Sequence, residues 1–174
     1  MAQIRRKIFN YDNLSEYKIV DFGRKKDFYD NSISAGGCLF YKRNKQLLLI
    51  KYDDPKWPRL DDIGGQVDLN DGSIIETIIR EVIEETNGKI SEITLMKLFA
   101  FNKTDTFYTK KSKYCNLLVE VDDDFFTDTS VFGQIEKCDN ISRTIKWYDY
   151  DKVKNQLSFR LFNNRDVIVF LDNL

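Results

Sequence analysis

Residues 65–88 read GQVDLNDGSIIETIIREVIEETNG, and the second half of this stretch is a helix with a face of its own chemistry. Ser73 followed three residues later by Glu76 is a capping box, in which each side chain satisfies a backbone amide that the first turn leaves open. Ile75, Ile78, Ile79 and Val82 recur at helical spacing and make one apolar face. Asn87-Gly88 supplies the left-handed stop. A helix over residues 73–88 is therefore predicted. Glu81, Glu84 and Glu85 fall at i, i+3 and i+4 on it, which gathers three carboxylates on one surface beside the apolar face. Arg80 is four residues from both Glu76 and Glu84 and can offset part of their repulsion. Taken alone, the cluster also suits a solvated helix face laced with i,i+4 pairs.

The residues upstream change that balance. Ile63-Gly64-Gly65-Gln66-Val67-Asp68 leads from a proline-containing loop toward the helix, and a glycine pair lets the backbone approach a ligand closely. Clustered carboxylates with a backbone carbonyl suit Mg²⁺ or Mn²⁺, which prefer oxygen donors in octahedral array. Such ions neutralise a polyphosphate and acidify a bound water. A carboxylate left over beside that water can take its proton.

At this point the stretch resembles the Nudix box, whose pattern is Gx5Ex7REUxEExGU with U aliphatic. Arg80-Glu81-Val82-Ile83-Glu84-Glu85 matches the REUxEE core at every position. The resemblance implies an α/β (α+β) fold, the Nudix-like α/β/α sandwich with a mixed β-sheet. It also implies divalent-metal-dependent hydrolysis of a nucleoside diphosphate linked to some further group. Carried over by position, Glu81, Glu84 and Glu85 match the metal-holding glutamates, Glu84 shared between metal and base roles. Arg80 matches the arginine that orients them, and Gly65 the turn glycine whose carbonyl can reach the metal. Catalytic roles thus fall to Glu81, Glu84 and Arg80, metal contacts to Glu81, Glu84, Glu85 and Gly65, and the cofactor is Mg²⁺ or Mn²⁺.

Two positions depart from the pattern. The family's first glutamate falls on Gly72, with one residue inserted after Gly65, so neighbouring Asp71 is the expected replacement for holding Arg80. Asn87-Gly88 stands where the family has glycine and an aliphatic residue, and asparagine also tolerates the left-handed conformation. The Gly72 departure favours one rival, a catalytically weak Nudix-fold module that binds or senses a nucleotide. The intact REUxEE core argues against it. Glu85→Gln is expected to leave stability unchanged or slightly raised, since it removes one charge from a crowded face.

Working outward, residues 33–41 and 46–52 read as a strand hairpin, 53–59 as a loop with both prolines, and 93–101, 114–121 and 144–148 as strands. Residues 122–140 are acidic and loop-like. The last 25 or so residues read as a short helix or helices that pack Leu157, Phe159, Leu161, Phe162, Val167 and Phe170 inward, with another strand the alternative. Residues 1–31 are polar and basic and are expected to add an extension or edge strands to a single domain spanning 1–174. Trp57 precedes the box and can stack on a base. Glu120, Asp122 to Asp124 and Glu136 are candidates for a carboxylate outside the box, of which Glu120 and Glu136, with Trp57, are taken as substrate-binding. Lys110, Lys111 and Lys113 are either a phosphate-steering patch or a solvated loop.

Composition narrows the chemistry further. The 174 residues hold 27 basic and 28 acidic side chains for a net charge of −1, so no global basic field draws the chain to nucleic acid. Histidine is absent, which excludes the Ser-His-Asp triad and every His-ligated zinc site. Three separated cysteines without a CxxC read as reduced, mostly buried thiols of a cytoplasmic protein. The basic N-terminus lacks an apolar core, and no apolar run approaches the ~20 residues of a membrane span. The expected partner is a small-molecule nucleotide, with capped RNA the poorer fit for want of a basic stripe, and the chain is read as a monomer or homodimer.

Overall fold

The computed structural model describes residues 33–109 and 111–174. The strands expected in residues 1–31, and Lys110, lie outside the described residues. Strand β1 (Ala35–Tyr41) and β2 (Gln46–Tyr52) form the expected hairpin, and β3 (Ile63–Gln66) returns along the first half of β1. Helix α1 (Ile74–Glu85) and α2 (Glu92–Phe101) follow, then β4 (Thr104–Thr109) and β5 (Tyr114–Glu120). A short 3₁₀ turn (Thr129–Phe132) precedes β6 (Ile135–Glu136) and β7 (Ile141–Asp149). Three short helices close the chain, α3 (Tyr150–Val153), α4 (Phe159–Phe162) and α5 (Arg165–Asp172).

The sheet runs β4-β5-β1-β2-β7-β6, with β3 also on β1, and is mixed because β1 and β5 are parallel. Strand β1 is buried along its whole length, as a central strand covered on both faces must be. Its residues alternate between two cores. Cys38 and Phe40 meet Ile74, Ile75, Ile78 and Val82 of α1. Leu39 and Tyr41 meet Tyr150, Leu157, Leu161, Val167 and Leu171 of the terminal helices. The period-2 alternation thus builds the three-layer α/β/α sandwich. Each buried Ile or Val of α1 contributes about 1.5–3 kcal/mol by leaving water.

Helix α1 starts and stops where its sequence dictates. Ser73 Oγ accepts from the Glu76 amide at 3.3 Å, while the Glu76 carboxylate reaches one residue further back, to the Gly72 amide at 2.7 Å. Asn87 (φ 53°) and Gly88 (φ 73°) turn left-handed, and Gly88 N–H donates to Ile83 O at 2.7 Å. The sheet comes close beneath the helix: a methyl on Gly36 would sit 2.8 Å from Ile74 Cδ1.

Three expectations need correction. Residues 93–101 form helix α2, not a strand, capped by Ser91, whose Oγ accepts from the Thr94 amide at 3.2 Å. Only Leu95 and Phe99, four apart, are buried; Ile93 and Phe101, which lent the stretch its strand-like density, are exposed. The Gly64-Gly65 pair is strand β3 instead of a turn. In the tail Leu157, Leu161 and Val167 point inward as expected, but Phe159 and Phe162 are half exposed. Among the described residues no helix is long and apolar enough to cross a membrane.

Candidate active site

Arg80 gathers the acidic residues of the box. Its Nε and Nη2 donate to the two oxygens of Asp71 at 3.2 and 3.0 Å, and Nη2 also reaches Gln66 O at 2.8 Å. Nη1 is shared by Glu81 Oε1 at 2.8 Å and Glu84 Oε2 at 3.0 Å. Asp71 takes two further donors, Thr77 Oγ1 and the Asp68 amide, each at 2.8 Å. Burial works to raise its carboxyl, but these hydrogen bonds and the guanidinium charge outweigh it and hold it below the usual carboxylate range. Asp71, one position before Gly72, is thus the residue that holds the Arg80 guanidinium.

Glu81 lies flat on Gly65, where a methyl group would come within 2.4 Å of Glu81 Oε2. Burial pushes its carboxyl up to about 7, partly countered by Arg80 and reinforced by Glu84 and Glu85. Glu85 is buried under different partners. Tyr52 Oη donates to its Oε1 at 2.6 Å, and Arg143 Nε stands 3.4 Å from its Oε2. Arg143 is fully buried; its terminal nitrogens donate to the carbonyls of Glu85, Phe132 and Gly133. Burial raises the Glu85 carboxyl, opposed by Tyr52 and Arg143 and assisted by the charge of Glu136. Glu85 Oε2 is left without a hydrogen-bond partner among the described residues.

A cavity of about 690 Å³ opens over these groups. Gly64, Gly65, Glu81, Glu85, Tyr52 and Trp57 line it, together with Arg160 of short helix α4. Trp57 is 52% exposed. Glu84 does not line the cavity and turns to Arg80. Glu136 is buried, and its oxygens cap a turn by accepting from the Cys138 and Asp139 amides at 2.5 and 2.6 Å. Glu120 lies at the opposite end of β1 from the glycines, beside Tyr41, and pairs with Arg43 at 2.5 Å. Neither Glu120 nor Glu136 is among the residues lining the cavity. Tyr52, Asp61 and Arg160 line it and Arg143 backs Glu85, and the sequence has no spacing to announce any of them.

The chain matches the family model described as the NUDIX domain over residues 31–168. It belongs to the Nudix family. No curated protein sequence matches it. Among solved structures, a bifunctional NMN adenylyltransferase/ADP ribose pyrophosphatase from Francisella tularensis shares 16% identity with a TM-score of 0.52. That likeness covers 91% of this chain and 46% of the other, so the chain spans about half the length of this relative. An Ap4A hydrolase from C. elegans shares 16% identity, covering 82% of this chain and 99% of that one, with a TM-score of 0.47. A NUDIX hydrolase from Nitrosomonas europaea shares 15%, covering 81% and 87%, with a TM-score of 0.42. These likenesses concern the fold.

As the side chains stand, the box glutamates do not form a ready metal cage. Among the described residues no three Asp, Glu or Cys side chains converge closely enough to hold an ion. Two of the carboxylates spend an oxygen on Arg80 and the third faces Arg143.

Proposed function

We propose that the cavity binds a nucleoside diphosphate derivative and that hydrolysis of it is slow, the domain acting chiefly as a nucleotide-binding Nudix module. The observation that carries this is the pairing of every box carboxylate with an arginine. Glu81 and Glu84 share one Arg80 nitrogen, and Glu85 is matched by buried Arg143. A divalent ion must compete with these fixed positive charges, which lowers its affinity and the fraction of protein competent for turnover. Trp57 and Phe159, both half exposed in the cavity wall, offer a base its stacking surface.

A second reading, efficient Mg²⁺- or Mn²⁺-dependent pyrophosphohydrolysis, is favoured by one specific feature. Glu85 Oε2 is buried without a hydrogen bond, and burial, reinforced by Glu84 and Glu85, pushes the Glu81 carboxyl up to about 7 even against Arg80. Glu81, Glu84, Glu85 and the Gly65 carbonyl are the groups that would hold the ion, which would supply charge neutralisation and an acidified water. In that case Arg80 orients the glutamates, and Glu84, the most exposed of the three, must leave Arg80 and turn into the cavity before it can accept the proton.

Calorimetric titration with a panel of nucleoside diphosphate derivatives, with and without Mg²⁺, paired with phosphate and nucleotide product analysis, separates the two. Binding with turnover near background supports the module. Rapid product formation that chelator abolishes overturns it in favour of the hydrolase. No binding of any member of the panel removes both.

A further inference from the structure

The cavity is lined by groups of two origins. The box contributes Glu81 and Glu85. Outside the box the lining includes the acids Asp54, Asp61 and Asp139 and the cation Arg160, which comes from helix α4. Arg160 is set in a built polar layer. Its guanidinium carbon lies 5.0 Å from the Tyr114 ring centroid, and its Nη1 is 3.7 Å from Asp61 Oδ2. That distance is too long for a hydrogen bond. Both nearby carboxylates are already served by others. Asp61 Oδ1 accepts from Ser158 Oγ at 2.7 Å and from the Asp62 amide at 3.0 Å. Asp62, 1% exposed, accepts from Tyr114 Oη and Asn116 Nδ2, each at 2.9 Å.

Arg160 is therefore positioned: Tyr114 takes a side-chain hydrogen bond from it and the charges of Asp61 and Asp62 favour its cation, yet a guanidinium carries five N–H donors and keeps some for a ligand; its side chain is only 22% exposed. A half-buried guanidinium with spare donors aimed into a cavity is suited to a planar or tetrahedral oxyanion. Its own burial, reinforced by the charge of Asp62, holds the Asp61 carboxyl well above its ordinary range. The two other cations of the wall are less apt. Arg59 Nη1 is spent on Leu157 O at 3.1 Å, and Lys56 stands on the exposed proline loop.

The sites are near enough for one ligand to span them. Tyr52, which holds Glu85, is two residues along β2 from Ile50, the cross-strand partner of Asp61. That is about 7 Å of strand. A phosphate chain whose one end meets the glutamates can present its other end to Arg160.

We propose that Arg160 is a specificity-determining residue that selects nucleotides ending in an anionic group, a nucleoside triphosphate above all, over nucleoside diphosphates ending in a neutral sugar. This rests on the nucleotide-binding reading of the same cavity. ATP and ADP-glucose share the adenosine diphosphate and differ only in that terminal group, so the pair isolates it.

The test is calorimetric titration of the full chain with ATP and with ADP-glucose, in EDTA and again with Mg²⁺. Wild type is expected to bind ATP about tenfold more tightly than ADP-glucose, the scale of one charge-assisted hydrogen bond at a partly exposed site. Arg160→Gln is expected to lose that preference while keeping ADP-glucose within about twofold, and Arg160→Lys to retain part of it. Equal binding of the two ligands by wild type, a preference for ADP-glucose, or loss of both ligands in parallel in Arg160→Gln overturns the proposal. If Arg160→Gln melts at the assay temperature, the wild-type preference and Arg160→Lys decide it. Nucleotide binding without the terminal-group preference refutes this inference alone, whereas binding of neither nucleotide removes the underlying reading as well.

Discussion

Replacing Asp71 by alanine removes more than one contact, and its cost can be worked from the structure. The Asp71 carboxylate receives two hydrogen bonds from Arg80, one from Thr77 Oγ1 and one from the Asp68 amide. Thr77 keeps a weaker partner in Ser73 O at 3.4 Å, and the Asp68 amide lies in a partly exposed turn. The Arg80 pair is then the main loss. Hydrogen bonds to charged groups are worth about 1.5–3 kcal/mol, and the 30% exposure of the Arg80 side chain argues for the lower end. Urea unfolding of Asp71→Ala at pH 7 should show a loss of about 1.5–2 kcal/mol. The pH dependence carries the sign. The folded carboxyl titrates below its unfolded value, so its contribution is complete above the unfolded value of about 4 and disappears as pH falls through the folded one. The gap between wild type and Asp71→Asn should therefore be constant from neutral pH down to about 5 and close below that. Whatever turnover wild type shows with Mg²⁺ should fall about tenfold or more in Asp71→Ala, because Arg80 would no longer hold Glu81 and Glu84 in one place. A variant within about 0.5 kcal/mol of wild type across this pH range would refute the account of Arg80 as a guanidinium fixed by Asp71.

Gly72→Ala should be silent in both stability and binding, since Gly72 does not have a positive φ and an added methyl would press only on the flexible end of Glu76; a midpoint shift in urea beyond error would count against this. Gly64→Ala and Gly65→Ala should differ sharply. A methyl on Gly64 would sit 2.3 Å from backbone atoms of Gly36 and Gly37, and circular dichroism should find that variant largely unfolded at ambient temperature. At Gly65 the nearest atoms a methyl would meet are those of the Glu81 carboxylate, the end of a flexible side chain, so the protein should fold while its affinity for nucleotides changes, and equal damage from both substitutions would contradict the packing. Glu85→Gln, expected from sequence to be neutral or stabilising, should instead cost about 3 kcal/mol in chemical denaturation, because it strips the carboxylate from fully buried Arg143.

What was legible in the sequence was local. The capping box, the isoleucine face and the Asn-Gly stop all act within one or two turns of helix, so residues 73–88 could be read directly, and with them the hub of Arg80 and Asp71. The hairpin over β1 and β2 was readable for the same reason. Helix α2 was not, because exposed Ile93 and Phe101 added apolar density to a short stretch whose true anchors are Leu95 and Phe99. Strand β4 carries polar threonines at an edge and has no apolar alternation to reveal it. The partners of Glu85 were hidden for a different reason. Arg143 lies 58 residues away and Tyr52 lies 33 away, and only the crossing of β2, β7 and α1 brings them together. Arg160 is further removed still, on a helix of one turn whose place is fixed by long-range packing of Leu157 and Leu161.

The acidic partner of Arg80 has moved one position along the chain without moving away from the guanidinium. The loop between Gly65 and Ser73 absorbs the extra residue, with Asp68 and Asp71 closing a small turn through their own side chains and amides. What the fold demands at this point is a carboxylate within reach of an arginine, and the chain satisfies that with a shorter acid set one residue further from the arginine. A written pattern that insists on glutamate eight residues before the arginine would pass over this protein. Spacing rules in such motifs are shadows of a distance in space, and a loop can lengthen as long as its last residue still delivers the charge.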